Sequence, residues 1–153
     1  MIILLRLSWL ISLGLSLLGV LIVGNLYMHS EQNAESFGFI GMVLVIPFIL
    51  LSLFITYRYF LVASSNAKNR LMKMFSFVGG FVLIGVLIFF AINYKNDILS
   101  NVGASSSITI FPTLNQQTYS VYFNFYTFAL IHSISGLIGG FVGLSKNDQN
   151  EER

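Results

Sequence analysis

The chain has 153 residues, of which 56% are hydrophobic and only 9% are charged. A soluble domain usually carries about 25% charged residues. The mean hydropathy of +0.81 is also too high for a soluble protein of this size, because small folds still expose much of their surface to water. Lipid must therefore solvate much of the chain. The net charge is only +2, and no basic patch is interleaved with aromatic residues, so nucleic-acid binding has no support.

The chain contains no cysteine and no Asn-x-Ser/Thr acceptor. Disulfide bonds, cysteine-based zinc sites, thiol catalysis and palmitoylation are therefore excluded. Together with the small size, these absences favour a bacterial source, and hence the inner (plasma) membrane.

Four apolar segments follow one another, each close to the roughly 20 residues that a helix needs to cross the hydrocarbon core. Lipid-facing backbone must satisfy its own hydrogen bonds, so helices are the expected structure. The predicted fold is all-α: a polytopic, four-transmembrane-helix bundle that forms a single domain over residues 1–153. The predicted helices cover residues 2–27, 37–63, 72–93 and 120–144.

The first two segments each contain one unusual residue. Arg6 interrupts the first segment, which resembles a signal peptide only in part, because its apolar stretch is too long and no A-x-A-like site follows. We therefore expect it to be retained as a helix. Pro47 lies midway along the second segment, where it removes one backbone hydrogen bond and predicts a kink.

The basic residues are distributed unevenly between the connections. The turn after the first segment holds Glu31 and Glu35 without Lys or Arg, whereas the loop at 64–71 and its flanks are basic and contain no acid. Counting Arg6 and the tail at 145–153, seven of the eight basic residues fall on one side. The positive-inside rule makes that side cytoplasmic. The predicted topology is N-in, C-in.

The third connection, an outer loop over 94–119, is the longest and is polar. Residues 107–111 and 119–125 alternate weakly and predict a hairpin. A short re-entrant segment and a plain solvated loop are the alternatives, and loops of this length are often functional.

Small residues recur at a spacing of four in the first and fourth helices, which allows close helix packing in lipid. One interpretation is packing within the subunit, and the other is a homo-oligomer face, most plausibly on the fourth helix. The residues concerned are Ser8, Ser12, Ser16 and Gly19, then Ser135, Gly139 and Gly143, with Gly136 and Gly140 in an adjacent row.

Two polar residues fall inside the fourth segment. His132 lies near its middle, where an ionisable group is costly and predicts either a function or a hydrogen bond between helices. No membrane Asp or Glu accompanies it, so a proton relay lacks a second member, although copies could form a ring in an oligomer. Asn124 lies near the outer end, in a position typical of a helix terminus.

The basic cytoplasmic side predicts contact with anionic lipid headgroups or with an acidic surface of a cytoplasmic protein partner; the alternative is a topology signal alone. The residues concerned are Arg58, Lys68, Arg70 and Lys73.

No acidic pair, catalytic triad, phosphate loop or metal cluster is present, so we expect neither an enzyme nor a metal or cofactor site. The expected function is that of an oligomeric membrane anchor or sensor subunit in a multi-protein bacterial complex, such as one for phage defence. The alternatives are an immunity protein against a pore-forming toxin and a small oligomeric ion channel, for which the lack of charged rings is unfavourable.

Overall fold

The structure, a computed structural model, describes residues 2–29, 34–66, 70–101 and 118–151. It contains the helices α1 (Ile2–His29), α2 (Ala34–Ser65), α3 (Arg70–Asn101), α4 (Tyr119–Tyr122) and α5 (Phe125–Glu151). Four stretches are long and apolar enough to span a membrane: Ile3–Leu26, Ile40–Ser65, Phe77–Asn101 and Tyr119–Ser145. Over the described residues, the prediction of an all-helical protein with four helices long and apolar enough to span a membrane is confirmed.

Two boundaries differ from the prediction. Helix α3 continues to Asn101, so residues 94–101 of the predicted outer loop are helical. Polar side chains such as Lys95 and Asp97 need not end a helix once it has left the hydrocarbon, and Leu99, only 2% exposed, packs this last part of α3 in place.

The region predicted as the second strand of a hairpin is helical instead. Residues 119–122 form α4, followed by a bend at 123–124 before α5 begins. The strand prediction for 119–125 was therefore wrong, because a polar and aromatic alternation over so few residues does not distinguish a strand from a helical turn. The first predicted strand, 107–111, lies outside the described residues.

The four long helices form an open row rather than a closed ring. Helix α2 packs along α1 on one side and along α5 on the other, and α5 packs in turn on α3. Within the described ranges, the remaining pairs of long helices make little or no contact. The order is therefore α1, α2, α5, α3, and α2 and α3 are consecutive in the chain without being neighbours in space.

The closest helix pair is α2 with α5. A Cβ atom added at Gly139 would fall on the carbonyl oxygen of Tyr57, and one at Gly143 would fall on that of Leu61. One turn earlier, Ser135 Oγ donates a hydrogen bond of 2.8 Å to the carbonyl of Leu53. The row of small residues thus meets a row of carbonyls at the same spacing of four, and the two backbones are in direct contact.

The α1–α2 contact uses small residues in the same way. Gly19 lies against Val45, whose nearest methyl would be 3.1 Å from an added Cβ. Gly41 of α2 lies in turn against Leu26 and Val23. Because glycines on both helices face side chains of the other, the contact is reciprocal.

The α3–α5 contact relies mainly on aromatic rings. Phe90 stacks on Tyr126 with centroids 5.7 Å apart, and Phe77 meets Phe141 edge to face at 6.0 Å. Gly80 makes room for Leu137 between these two levels. Side chains therefore separate α3 from α5, in contrast to the backbone contact between α2 and α5.

We expect Gly139→Ala to destabilise the protein by about 1–3 kcal/mol, the usual range for overpacking. The added methyl group would clash with the backbone carbonyl of Tyr57, which can shift only if the two helices move apart. Gly14→Ala is the matched control, since nothing lies within 4 Å of that position. The measurement is thermal unfolding in mild detergent. Equal melting temperatures for the two variants would contradict the α2–α5 backbone contact.

Candidate functional site

His132 forms two hydrogen bonds at the centre of the helix row. Its Nδ1 lies 2.8 Å from the carbonyl oxygen of Phe128, and its Nε2 lies 2.9 Å from Ser52 Oγ. A carbonyl oxygen can only accept, so Nδ1 carries the hydrogen, and in the neutral ring Nε2 accepts from the serine hydroxyl. His132 is 6% exposed and Ser52 is fully buried. The imidazole therefore links α5 to α2 at mid-depth.

A second pair of bonds extends this connection to α1. Thr56 Oγ1 donates to the carbonyl of Ser52 over 2.8 Å, and Trp9 Nε1 donates to Thr56 Oγ1 over 3.1 Å. The Trp9 indole is also stacked on Tyr59, with ring centroids 4.6 Å apart and planes 4° from parallel. We call Trp9, Ser52, Thr56 and His132 the polar cluster; it spans three of the four long helices.

Hydroxyl bonds to α2 carbonyls surround the polar cluster. Ser16 Oγ, 1% exposed, donates to the carbonyl of Phe48 over 3.0 Å, on the opposite side of α2 from the Ser135 bond. Pro47 lies next to this carbonyl inside α2, which continues through it. Among the described residues, every buried side-chain nitrogen or oxygen has a hydrogen-bond partner. The polar groups at depth therefore connect helices to one another.

Asn124 caps α5. Its Oδ1 accepts the backbone N–H of Thr127 over 2.9 Å, the bond that defines an N-cap. Its Nδ2 also donates to the carbonyls of Ser120 and Val121, both at 2.8 Å. One amide thus satisfies backbone groups on both sides of the bend, which allows the helix to break within the predicted span.

An apolar groove lies between α1 and α3, over α2 and α5. Its volume is about 480 Å³. Aromatic rings from all four long helices form its walls, namely Trp9, Phe60, Phe77 and Phe128. Glycines of α3 and α5 open its width, namely Gly79, Gly80, Gly136 and Gly140. Thr56 and His132 also reach it, so the polar cluster lies at its floor.

The structure distributes the predicted packing residues among several contacts. Ser16, Gly19, Ser135, Gly139 and Gly143 meet α2 of the same chain. Ser12 bonds the carbonyl of Trp9 within α1, and Ser8 is exposed. Gly136 and Gly140 lie against the rings of Phe60 and Phe77. A contact between subunits stays a prediction for this set.

The predicted basic contact surface is described only at Arg58. This residue is exposed, and its guanidinium lies 6.0 Å from the ring centroid of Phe54, within cation–π range. Lys68 lies outside the described residues. The backbones of Arg70 and Lys73 belong to the start of α3, but their side chains lie outside the described part of the chain.

Sequence reasoning identified His132 but missed its partners. It did not single out Ser52 or Thr56. The available signal was the spacing of four between these two hydroxyl residues in an otherwise apolar part of α2, which places both on one helix face.

Comparison of the chain with protein-family models, with curated protein sequences and with solved structures found no match.

We expect Ser52 and His132 to be energetically coupled. Ser52→Ala removes the donor to Nε2, His132→Leu removes the acceptor, and the double variant completes a cycle. Hydrogen bonds between membrane helices average about 0.6 kcal/mol and reach about 1.7 kcal/mol, and we expect a coupling within that range. The measurement is reversible unfolding in mixed micelles.

A cycle between Ser8→Ala and His132→Leu serves as the control, because Ser8 is exposed and is not a member of the polar cluster. Zero coupling between Ser52 and His132 would contradict the hydrogen bond, whereas equal coupling in both cycles would indicate a general loss of packing.

Proposed function

We propose that this chain is a non-enzymatic integral membrane protein that serves as an oligomeric anchor or sensor subunit of a multi-protein bacterial complex, such as one for phage defence. It lies in the inner membrane with both termini in the cytoplasm. Its basic cytoplasmic side, with Arg58, Lys68, Arg70 and Lys73, contacts an acidic partner. The observation that carries the proposal is that the side chains of the polar cluster form hydrogen bonds between helices of the chain.

The hydrogen bonds of His132 favour this role over that of a channel. Both ring nitrogens are engaged within one chain, and the ring also packs on Phe128 with centroids 4.1 Å apart. A pore-lining imidazole needs a free nitrogen toward water, which would require these bonds to break. An inward, bonded His132 supports a static membrane domain.

The open order of the helices supplies a face for subunit contact. Helix α3 is at the edge of the row, and residues at intervals of three to four turn outward from α5: Val78, Val82, Gly85 and Phe89. The three larger side chains are each 61–62% exposed, and open space surrounds Gly85. Small residues allow close approach of a second helix, and we assign this outer α3 face to a second copy of the chain.

The two glycine rows of α5, which the sequence favoured as the oligomer face, meet side chains and carbonyls of their own chain. The glycines with open space around them are Gly14 of α1 and Gly79 and Gly85 of α3. Of these, Gly79 lines the groove. Gly85 therefore offers the clearest position for a test of subunit contact on α3.

The proposed orientation predicts the labelling of introduced cysteines, which is unambiguous because the chain has none. A membrane-impermeant maleimide applied to intact cells (spheroplasts where an outer membrane is present) should label Gln32→Cys and leave Asn69→Cys unlabelled. After permeabilisation both should react. Labelling of Asn69→Cys alone in intact cells would indicate the opposite topology and contradict the proposal.

Native mass spectrometry of the protein extracted from its own host in mild detergent should show a homo-oligomer with a stoichiometric soluble chain. Gly85→Phe should reduce the subunit count, because its ring projects from the outer α3 face. Gly14→Phe, an equal change on α1, should leave the count unchanged.

The basic surface is tested separately. Replacing Lys68, Arg70 and Lys73 by Gln should release the soluble chain and keep the oligomer, whereas Lys68→Arg with Lys73→Arg should retain both. A monomer without any co-purifying chain would overturn the proposed function and leave toxin immunity as the better hypothesis.

A further inference from the structure

The shape of the groove limits what it can hold. Along α5 the lining runs from Phe125 to Gly140, which corresponds to about 22 Å at 1.5 Å per residue. A volume of about 480 Å³ then gives a mean cross-section of about 20 Å² over that length. An α-helix, with a diameter of about 10–12 Å, has a cross-section of roughly 80–110 Å². A helix could therefore lie only across the mouth of the groove, whereas a single extended hydrocarbon chain can lie inside it.

The chemistry of the walls agrees with its shape. None of the described residues that line the groove carries an Asp, Glu, Lys or Arg side chain. Four polar side chains line it, and three of them, Trp9, Thr56 and His132, already have hydrogen-bond partners within the chain. The fourth is Ser133, so the lining offers a polar ligand a single hydroxyl. Aromatic rings and bare glycine backbone form a smooth apolar channel along which a methylene chain can lie.

The position of the groove along the helices indicates where such a chain enters. On α2 the groove is lined by Thr56 and Phe60 and on α1 by Trp9 and Leu13, so it occupies mainly the half of the membrane where α1 begins and α5 finishes. On α5 its deep end, at Phe125 and Phe128, extends about 10 Å beyond the level of His132, into the other half. A length of about 22 Å exceeds half of a hydrocarbon core about 30 Å thick, so one long acyl chain from that leaflet can occupy most of it.

Basic residues follow the groove at its open end. On α3, Lys73 and Arg70 precede Phe77, which lines the groove, by four and seven residues. With 3.6 residues per turn, these positions fall on the same face of α3 as Phe77, one and two turns beyond it. Cations beside a membrane surface attract anionic headgroups by about 1 kcal/mol each. An anionic lipid can thus place its headgroup at these two positions while its chain lies in the groove.

We infer that the groove binds one acyl chain of an anionic phospholipid from the leaflet nearer the termini, with the headgroup at the level of Arg70 and Lys73. This site is independent of the proposed subunit contacts, because it lies on the opposite flank of α3 from Gly85. A lipid held in this way fills the space between α1 and α3, which have little direct contact with each other.

Trp9 provides the readout, since it lines the groove and is the single tryptophan of the chain. The purified protein is reconstituted in nanodiscs of an unlabelled neutral phospholipid with increasing fractions of phosphatidylglycerol brominated on its acyl chains. Bromine quenches indole fluorescence on contact. We expect most of the Trp9 emission to be lost, with saturation at a low fraction of the brominated lipid. Brominated phosphatidylcholine should quench only in proportion to its fraction.

Two glycines with open space around them give a matched pair of variants. Gly79→Phe should fill the groove and raise the fraction of phosphatidylglycerol needed for half-quenching several-fold, because open space surrounds an added Cβ there. Gly14→Phe adds the same ring on α1, away from the groove and from the proposed subunit contact, and should leave the quenching curve unchanged. Equal thermal unfolding of the two variants shows that the fold is retained. Arg70→Gln with Lys73→Gln should remove the preference for the anionic lipid and keep proportional quenching.

Three outcomes would overturn the inference. The first is identical, proportional quenching by both brominated lipids, which would mean ordinary surrounding lipid. The second is an equal effect of Gly79→Phe and Gly14→Phe, which would place the lipid outside the groove. The third is protection of Trp9 from both lipids, which would mean that a protein segment fills the groove. All three outcomes are measured on purified protein without the soluble chain. They therefore depend neither on the subunit count nor on the partner contact proposed for Arg70 and Lys73, and the proposed function can fail or hold separately.

Discussion

The backbone contact between α2 and α5 determines where every other helix lies. Lipid gives no hydrophobic advantage to helix association, so close packing and hydrogen bonds must supply it. The row of Ser135, Gly139 and Gly143 brings the two backbones together along carbonyls of α2. With α5 on one side of α2 and α1 on the other, α5 is the main neighbour that remains for α3 among the long helices. The open row and its groove follow from this one contact.

The same contact explains why the polar residues at depth are bonded within the chain. Close backbones bring His132 within reach of Ser52, and the carbonyl of Ser52 then accepts Thr56, which holds Trp9. Each hydrogen bond satisfies a polar group that would otherwise lie unpaired in hydrocarbon, at a cost of several kcal/mol. The bonds at this level therefore define the register of three helices more than they increase stability, since each contributes only about 0.6 kcal/mol.

The sequence predicted the number and approximate extent of the helices, because runs of about 20 apolar residues in lipid permit little else. It also identified His132 and the small-residue rows. It could not reveal the order of the helices, since every helix is apolar on all sides and no face is distinguished by polarity. The partners of His132 were missed for a related reason: Ser52 and Thr56 are unremarkable in an apolar helix until a neighbour approaches. The break at Asn124 depends on four local hydrogen bonds that spacing alone does not indicate.

The open row also has a consequence for how the protein is made. Helix α3 leaves the ribosome directly after α2 but has its main neighbour in α5, which is synthesised after the long third connection. During that interval α3 has only lipid around it, which its almost fully exposed and strongly apolar span tolerates. Helix α5 is the least apolar of the four spans and contains His132, yet it enters when Ser52 is already in the membrane. Because α2 precedes α5 in the chain, the hydrogen-bond partner of His132 is synthesised before His132 itself.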